Sequence, residues 1–238
     1  MEDLEDFVMR RLPTAERPLM GSTVLVVEDS RFACEAIRLM CLRSGARIRR
    51  ADCLKAAARH LRMYRPSVVI VDLGLPDGNG LDLIKELSET TPRIDVILGT
   101  SGDDALESAA MEAGANGFFA KPVSSLARFQ EEILRHLPRE VQPRSPRALP
   151  DDVLTPDEIA LKDDLTHVSE LLDEAHDPAT MKYVAQFVGG LAVSAGDEGL
   201  LSAANAFDAA RRNNTPAAIA INDLNTILRE RSSASRVV

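Results

Sequence analysis

Hydrophobic and polar positions divide the chain into two regions with different periodicities. Between residues 22 and 136, short apolar runs alternate with stretches in which apolar residues recur at helical spacing. Most of the runs are continuous, as expected of strands that are buried on both faces. We predict strands at 23–27, 46–50, 67–71, 95–99 and 117–119, and helices at 31–44, 52–64, 80–89, 103–113 and 124–136.

Five strand–helix units in succession predict an α/β fold, with a doubly wound, five-stranded parallel sheet and helices on both of its faces. Ligands of such sheets bind beyond the carboxyl ends of the strands. The residues that directly follow each apolar run are therefore the candidates for the chemistry of this region.

The second region, residues 157–232, has helical periodicity throughout and predicts an all-α four-helix bundle. Its helices are expected at 157–175, 179–195, 198–212 and 216–231. Five of the 13 prolines fall within 138–156, which is typical of an extended linker. Residues 1–21 form an N-terminal extension, in which Leu4, Phe7, Val8 and Leu12 have helical spacing. The predicted domains are therefore 22–137 and 157–232.

Composition narrows the class of protein. The length of 238 residues suits one large domain or two small ones, and a hydrophobic fraction of 45% is enough for a core. An odd number of cysteines, three, does not form a disulfide framework, and Cys34 and Cys41 lie seven apart on one face of a predicted helix, where we expect them to pack. The acidic first residues do not resemble a signal peptide, and no apolar run is long enough to span a membrane, so we expect a cytoplasmic protein.

The net charge of −9 is distributed unevenly along the chain. Residues 151–238 contain seven basic and 15 acidic residues, whereas residues 1–150 contain 21 and 22. An acidic bundle is a poor partner for nucleic acid, because DNA binding requires a basic face.

Charged and hydroxyl residues follow the apolar runs. Glu28 and Asp29 follow the first strand, Asp72 the third, Thr100 the fourth and Lys121 the fifth. Carboxylates at neighbouring strand ends repel one another, and a divalent cation that prefers oxygen ligands, Mg²⁺, relieves this repulsion. A carboxylate beside a metal, an ammonium and a hydroxyl has the groups that are needed to accept a phosphoryl group.

Four segments, VLVVEDS, VVIVDLGLPDGNG, GTSGD and AGANGFFAKP, resemble the receiver domain of two-component response regulators over residues 22–137. The resemblance implies a flavodoxin-like fold with Asp72 as the phospho-acceptor. It also implies that Glu28, Asp29, Asp72 and the backbone carbonyl of Gly74 hold Mg²⁺.

The same resemblance implies that Thr100 and Lys121 bind the phosphoryl group, and that Phe118 is a switch aromatic that moves with Thr100. It further implies a cis peptide bond between Lys121 and Pro122.

The sequence departs from the usual receiver pattern at four positions. Gly99 replaces a larger apolar residue, and Ser101 places a second hydroxyl beside Thr100. Gly74 and Gly102 are small where bulkier side chains usually screen the phosphoryl group from water. We therefore expect a more open site.

The bundle resembles a histidine-phosphotransfer domain around residues 186–192, but Gln186 stands where that family has its histidine and Gly189 where it has lysine. No histidine lies beyond residue 176, so the bundle lacks the phospho-accepting group. Gly189 and Gly190 each cost about 1 kcal/mol relative to Ala in a helix. Close approach of another helix, or a protrusion of a partner, would account for the pair. His167 lies off the apolar stripe of its helix and is expected to face solvent.

These observations predict a phosphorylation-dependent response regulator that is not an enzyme. Its expected partners are a sensor histidine kinase or phosphotransfer protein upstream and a protein that contacts the bundle downstream, and a homodimer is possible. Two alternatives stay open. One is a transcriptional regulator with an atypical DNA-binding bundle. The other is a phosphatase that acts on a partner kinase through Gln186, with Asp197 and Glu198 nearby in sequence.

Overall fold

The structure, a computed structural model, describes residues 12–144, 152–154, 156–174, 177–213 and 218–233. The predicted helical segment with Leu4, Phe7 and Val8 and the middle of the predicted linker lie outside the described residues.

A five-stranded parallel sheet forms the first region and confirms the predicted α/β fold class. The strands are β1 (Thr23–Val27), β2 (Arg47–Ala51), β3 (Val68–Asp72), β4 (Val96–Ser101) and β5 (Gly117–Ala120). They lie in the order β2-β1-β3-β4-β5, and every neighbouring pair is parallel. The helices are α1 (Arg31–Ser44), α2 (Leu54–Met63), α3 (Gly80–Glu89), α4 (Glu107–Glu112) and α5 (Leu126–His136).

Strand register brings the polar residues to one edge of the sheet. Asp72, the last residue of β3, lies opposite Thr100 of β4, and Glu28 directly follows β1 on the other side of β3. Strand β3 extends one residue and β4 two residues beyond their predicted ends, because parallel pairing with the neighbouring strands continues to these positions. A short hairpin that was not predicted, Gly74–Leu75 with Gly78–Asn79, follows β3.

Segments on either side of the sheet region add to its core. Leu19 is completely buried, and its backbone amide donates to the carbonyl of Ser44 at 2.9 Å. Val153 forms a bridge with Ser125, and Leu154 packs against the same apolar cluster as Leu19. The ends of the predicted extension and linker therefore pack onto the sheet region.

In the described part of the second region, four helices are present and confirm the predicted all-α architecture. They are α6 (Glu158–Glu174), α7 (Pro178–Ala195), α8 (Glu198–Arg212) and α9 (Ala218–Ser233). Asp177 caps α7 and Pro178 begins it, which suits a first helical position. Gly196 ends α7 with φ +66°, and Asp197 caps α8. Among the described residues, none of the helices is both long and apolar enough to cross a membrane.

Phe32 of α1 joins the two regions. Phe32 has helical spacing with Ile37, Met40 and Cys41 of the sheet core, but its side chain packs into the bundle core with residues such as Leu165 and Val184. Phe32 is only 5% exposed. The bundle therefore lies directly against the first turn of α1, at the same edge of the sheet as Glu28 and Asp72.

Candidate functional site

Three carboxylates and one ammonium meet at the carboxyl edge of the sheet. One oxygen from each of Glu28, Asp29 and Asp72 lies within 4.8 Å of the others. The Nζ atom of Lys121, which follows β5, lies 2.8 Å from Oε2 of Glu28 and 3.3 Å from Oδ2 of Asp72. Glu28 is fully buried, and Asp72 and the Lys121 side chain are each 7% exposed. The structure thus brings together four of the predicted site residues.

Burial and mutual repulsion govern the ionisation of these groups. Burial and the nearby Asp72 hold the pKa of Glu28 well above its ordinary value, and they raise the pKa of Asp29 to about 6. Burial disfavours the charged form of Lys121, but the facing carboxylates outweigh it and raise the pKa of its ammonium. A single ammonium leaves the cluster with excess negative charge. The donor set, carboxylate oxygens in a buried pocket, therefore fits a hard divalent cation such as Mg²⁺.

Thr100 and Phe118 lie on adjacent strands beside this cluster. The Thr100 hydroxyl is completely buried and donates to the carbonyl of Phe119 at 2.9 Å. A Cβ at Gly99 would lie 3.2 Å from the Phe118 ring, so the missing side chain at position 99 makes room for that ring. The Lys121–Pro122 peptide bond is cis, as expected.

Ser101, the second hydroxyl, lines the cleft above the carboxylates. Its Oγ accepts a hydrogen bond from the backbone amide of Asp103 at 3.1 Å, so it is held by the following loop.

Helix α7 lies over the pocket, which the sequence did not predict. The Tyr183 hydroxyl donates to Oδ2 of Asp29 at 2.6 Å. A Cβ at Gly102 would lie 3.2 Å from Cα of Gly190, within the range at which the neighbour must shift. Helix α7 therefore takes part of the space that Gly102 leaves, and the greater openness of the site stays a prediction.

A cleft of about 430 Å³ separates the pocket from the bundle. Its lining includes Asp72 and Gly74 on one side and Gln186, Gly189 and Gly190 on the other. The predicted output residues thus lie opposite the predicted phospho-acceptor. Of the glycine pair, Gly190 makes the close approach. Outside its own helix, no described atom lies within 4 Å of a Cβ built at Gly189.

Asp164 is a site residue that sequence reasoning missed. This side chain of α6 is 3% exposed and accepts three hydrogen bonds from the start of α1. The donors are the Ser30 hydroxyl at 2.8 Å and the backbone amides of Arg31 and Phe32, both at 3.0 Å. A carboxylate in this position satisfies free amides at the helix N-terminus and favours the helix dipole. Its spacing of three from Leu161 and four from Val168 placed it on the buried stripe, which was the available signal.

Tyr183 is the second residue that was missed, and no local pattern marks it. Burial and the Asp29 carboxylate raise the pKa of its hydroxyl, so the group stays protonated and acts as the donor. Two residues that were set aside lie as expected. His167 is exposed, and Cys34 is buried as a free thiol.

Comparison with known proteins assigns the sheet region to a family. Residues 24–133 match the family model of the response regulator receiver domain. The chain is 30% identical over 105 residues to the chemotaxis protein CheY of Thermotoga maritima, covering 43% of this chain and 88% of that protein. It is also 30% identical over 118 residues to the KDP operon transcriptional regulatory protein KdpE of Escherichia coli K12, covering 48% of this chain and 52% of that protein.

A crystal structure of a putative response regulator from Chloroflexus aurantiacus is 29% identical and covers 48% of this chain and 98% of that one, with a TM-score of 0.45. The chain spans about half the length of the curated transcriptional regulators that it matches. Through residues 24–133, this chain belongs to the response regulator receiver family of two-component systems.

Proposed function

We propose that the chain is a phosphorylation-dependent response regulator that accepts a phosphoryl group on Asp72 from a sensor histidine kinase or a phosphotransfer protein. The observation that carries this proposal is the position of Asp72. Its carboxylate ends a central strand, lies 3.3 Å from the Lys121 ammonium and shares a buried pocket with two further carboxylates.

The chemistry follows from these groups. A carboxylate oxygen of Asp72 attacks phosphorus, and the bond between phosphorus and the donor nitrogen breaks. Lys121, which is 2.8 Å from Glu28 at rest, is positioned to pair with the incoming phosphoryl oxygens. Glu28, Asp29, Asp72 and the Gly74 carbonyl would hold Mg²⁺, which supplies positive charge to the transferring group.

The switch proposed for Thr100 and Phe118 depends on one hydrogen bond. For the Thr100 hydroxyl to reach a phosphoryl oxygen on Asp72, its bond to the Phe119 carbonyl must break. That carbonyl belongs to the residue next to Phe118, so the change at Thr100 is transmitted to the strand that carries the aromatic ring.

We propose that residues 157–232 are the output domain and that it acts through protein–protein contacts. Two observations support this. The bundle touches the pocket through Tyr183 and the adjacent start of α1 through Asp164, so it can respond to changes there. Its net charge, with seven basic and 15 acidic residues over 151–238, is unfavourable for a nucleic-acid partner.

Phosphorylation with a small donor such as acetyl phosphate tests the acceptor. With Mg²⁺ present, mass spectrometry of the intact protein should show one added phosphoryl group in the wild type and none in Asp72→Asn. Asp52→Asn, which changes an exposed carboxylate on the same surface, should retain the modification. Equal phosphorylation of Asp72→Asn and the wild type would refute the assignment.

A further inference from the structure

The bundle presents one face to the pocket of its own chain. This docking face consists of Asp163, Asp164, Tyr183, Gln186 and Gly190 of α6 and α7. We propose that the docking face is a receiver-binding surface that covers Asp72 in the resting protein, and that Tyr183 competes with a divalent cation for the Asp29 carboxylate. Binding of the bundle and loading of the pocket would then oppose each other. The inference rests on the proposed function, because it takes Asp29 as a metal ligand.

The docking face recognises the receiver through the start of α1. The Asp164 carboxylate accepts from the Ser30 hydroxyl and two backbone amides, while the adjacent Asp163 pairs with the Arg31 guanidinium at 2.7 Å. Phe32 then inserts into the bundle core. A capped helix end with an apolar anchor beside it fixes both the position and the orientation of the bundle. The contact is therefore specific.

Tyr183 binds the receiver at the metal site itself. Its hydroxyl lies 2.6 Å from Oδ2 of Asp29, and the other oxygen of that carboxylate accepts from the Ser30 backbone amide at 3.1 Å. Both oxygens of Asp29 are therefore engaged when the bundle is docked. A cation on Asp29 withdraws electron density from the oxygen that accepts from Tyr183. The other ligands of the cation also need space close to Oδ2 of Asp29. Cation binding and the hydrogen bond from Tyr183 therefore weaken each other.

Close approach of α7 also restricts which donors reach Asp72. A Cβ at Gly74 would lie 3.9 Å from Cβ of Gln186, and Gly102 has Gly190 against it. The cleft of about 430 Å³ admits a small phosphoryl donor, but a protein that delivers phosphohistidine must occupy the space where α7 lies. The upstream partner and the docking face would thus bind the same surface in turn.

Thermodynamic linkage makes the competition measurable. If the docked bundle weakens cation binding, then a bound cation must weaken the bundle contact by the same factor, and a variant with a weaker contact must bind the cation more tightly. Removal of the Tyr183 hydroxyl abolishes one charge-assisted hydrogen bond and leaves the ring in place, and we expect magnesium affinity to rise about fivefold to tenfold.

Tyr64 is the matched control, because it is the other of the two tyrosines in the chain. The chain has no tryptophan, so its fluorescence comes from these two residues. Tyr64 bonds to Nδ1 of His60 at 3.0 Å, at the end of α2 and outside the site. Isothermal titration with MgCl₂ should give tighter binding to Tyr183→Phe than to the wild type, and unchanged binding to Tyr64→Phe. The Tyr64→Phe protein also makes Tyr183 the sole tyrosine. Its fluorescence, quenched by the bonded carboxylate, should rise as Mg²⁺ is added.

Three results are distinguishable. Tighter binding to Tyr183→Phe, together with the fluorescence rise, supports the competition. Equal magnesium affinity in all three proteins overturns it and leaves the proposed metal site intact. If none of the three binds Mg²⁺, both the competition and the metal site of the proposed function are wrong.

Discussion

The receiver pocket and the docking face of the bundle meet at Asp29, and they are built in different ways. In the pocket, every charged group stands at the end of a strand, and the parallel register of the sheet brings those ends together. On the docking face, Asp164 and Tyr183 lie within helices, on the sides that happen to face the receiver. A pocket of the first kind is specified by the fold, whereas a surface of the second kind is specified by its partner.

Charge is balanced differently on the two sides as well. The pocket keeps three carboxylates against one ammonium, and burial together with the repulsion from Asp72 raises the pKa of Glu28 and of Asp29. On the docking face, Asp164 accepts from neutral donors, a hydroxyl and two backbone amides, and the adjacent Asp163 pairs with the Arg31 guanidinium. The first arrangement is prepared for an added cation, and the second is complete as it stands.

Removal of the apolar anchor should have the largest effect on the contact between the two regions. Phe32→Ala leaves a cavity in the bundle core at a site that is 5% exposed. We expect the contact between the two regions to lose about 3 kcal/mol of stability. Hydrogen–deuterium exchange should then increase in α6, α7 and the first turn of α1, while β1 and β3 stay protected. A uniform loss of protection across the sheet would show that Phe32 belongs to the receiver core instead.

Sequence reasoning identified the pocket and missed the docking for one physical reason. Asp72 and Lys121 follow apolar runs, and both the topology of parallel sheets and the resemblance to receivers assign meaning to such positions. The bond between Tyr183 and Asp29 joins residues 154 positions apart, one in the bundle and one in the sheet region. Helical periodicity carries no information about which surface outside the bundle a helix face meets.

Gly99 and Gly102 illustrate the same limit. Both were recognised as departures from the receiver pattern, but a missing side chain does not reveal what fills its space. The structure places Phe118 beside Gly99 and Gly190 beside Gly102. The fold of each region was thus predictable from its own sequence, and the packing of one on the other was not.

Asp164 makes a buried contact with the start of α1, and the adjacent Asp163 makes an exposed one. Asp164→Ala leaves the Ser30 hydroxyl and two amides without their acceptor, and we expect a loss of about 2 kcal/mol in docking. Asp163→Ala removes an ion pair whose side chains are 60% and 46% exposed, which should cost less than about 1 kcal/mol. Limited proteolysis between residues 138 and 156 measures release of the bundle. Equal release by the two variants would contradict the recognition assigned to Asp164.

The smallest expected effect is a pH dependence within the bundle. The hydrogen bond from Arg231, at 2.7 Å, lowers the pKa of Asp197. Above the ordinary pKa of about 3.9, the ionised Asp197 carboxylate therefore stabilises the native state. This stabilisation is lost as the pH falls from there through the lowered pKa of the folded state. Both groups are partly exposed, so the gain should be under about 1 kcal/mol.

Arg231→Gln should reduce the difference in bundle unfolding between pH 7 and pH 3, as followed by circular dichroism at 222 nm. Arg229→Gln is the control. Its pair with Asp173 is also 2.7 Å long but more exposed, at 62% and 48%. A larger effect of the control variant would refute this ranking by exposure.

A crosslink shows whether the bundle covers Asp72, the proposed phospho-acceptor of the same chain. The Gly74→Cys/Gln186→Cys protein, with Cys53→Ser to remove the partly exposed thiol, places two Cβ positions at 3.9 Å, a distance that a disulfide spans. We predict rapid disulfide formation under mild oxidation, and slower formation with Mg²⁺ and beryllofluoride, which mimics the phosphoryl group. A pair of Gly74→Cys with Ser202→Cys, exposed on α8, should stay reduced. If the disulfide between positions 74 and 186 forms no faster than this control, the bundle does not cover Asp72. If beryllofluoride has no effect on the rate, docking of the bundle and loading of the pocket do not oppose each other.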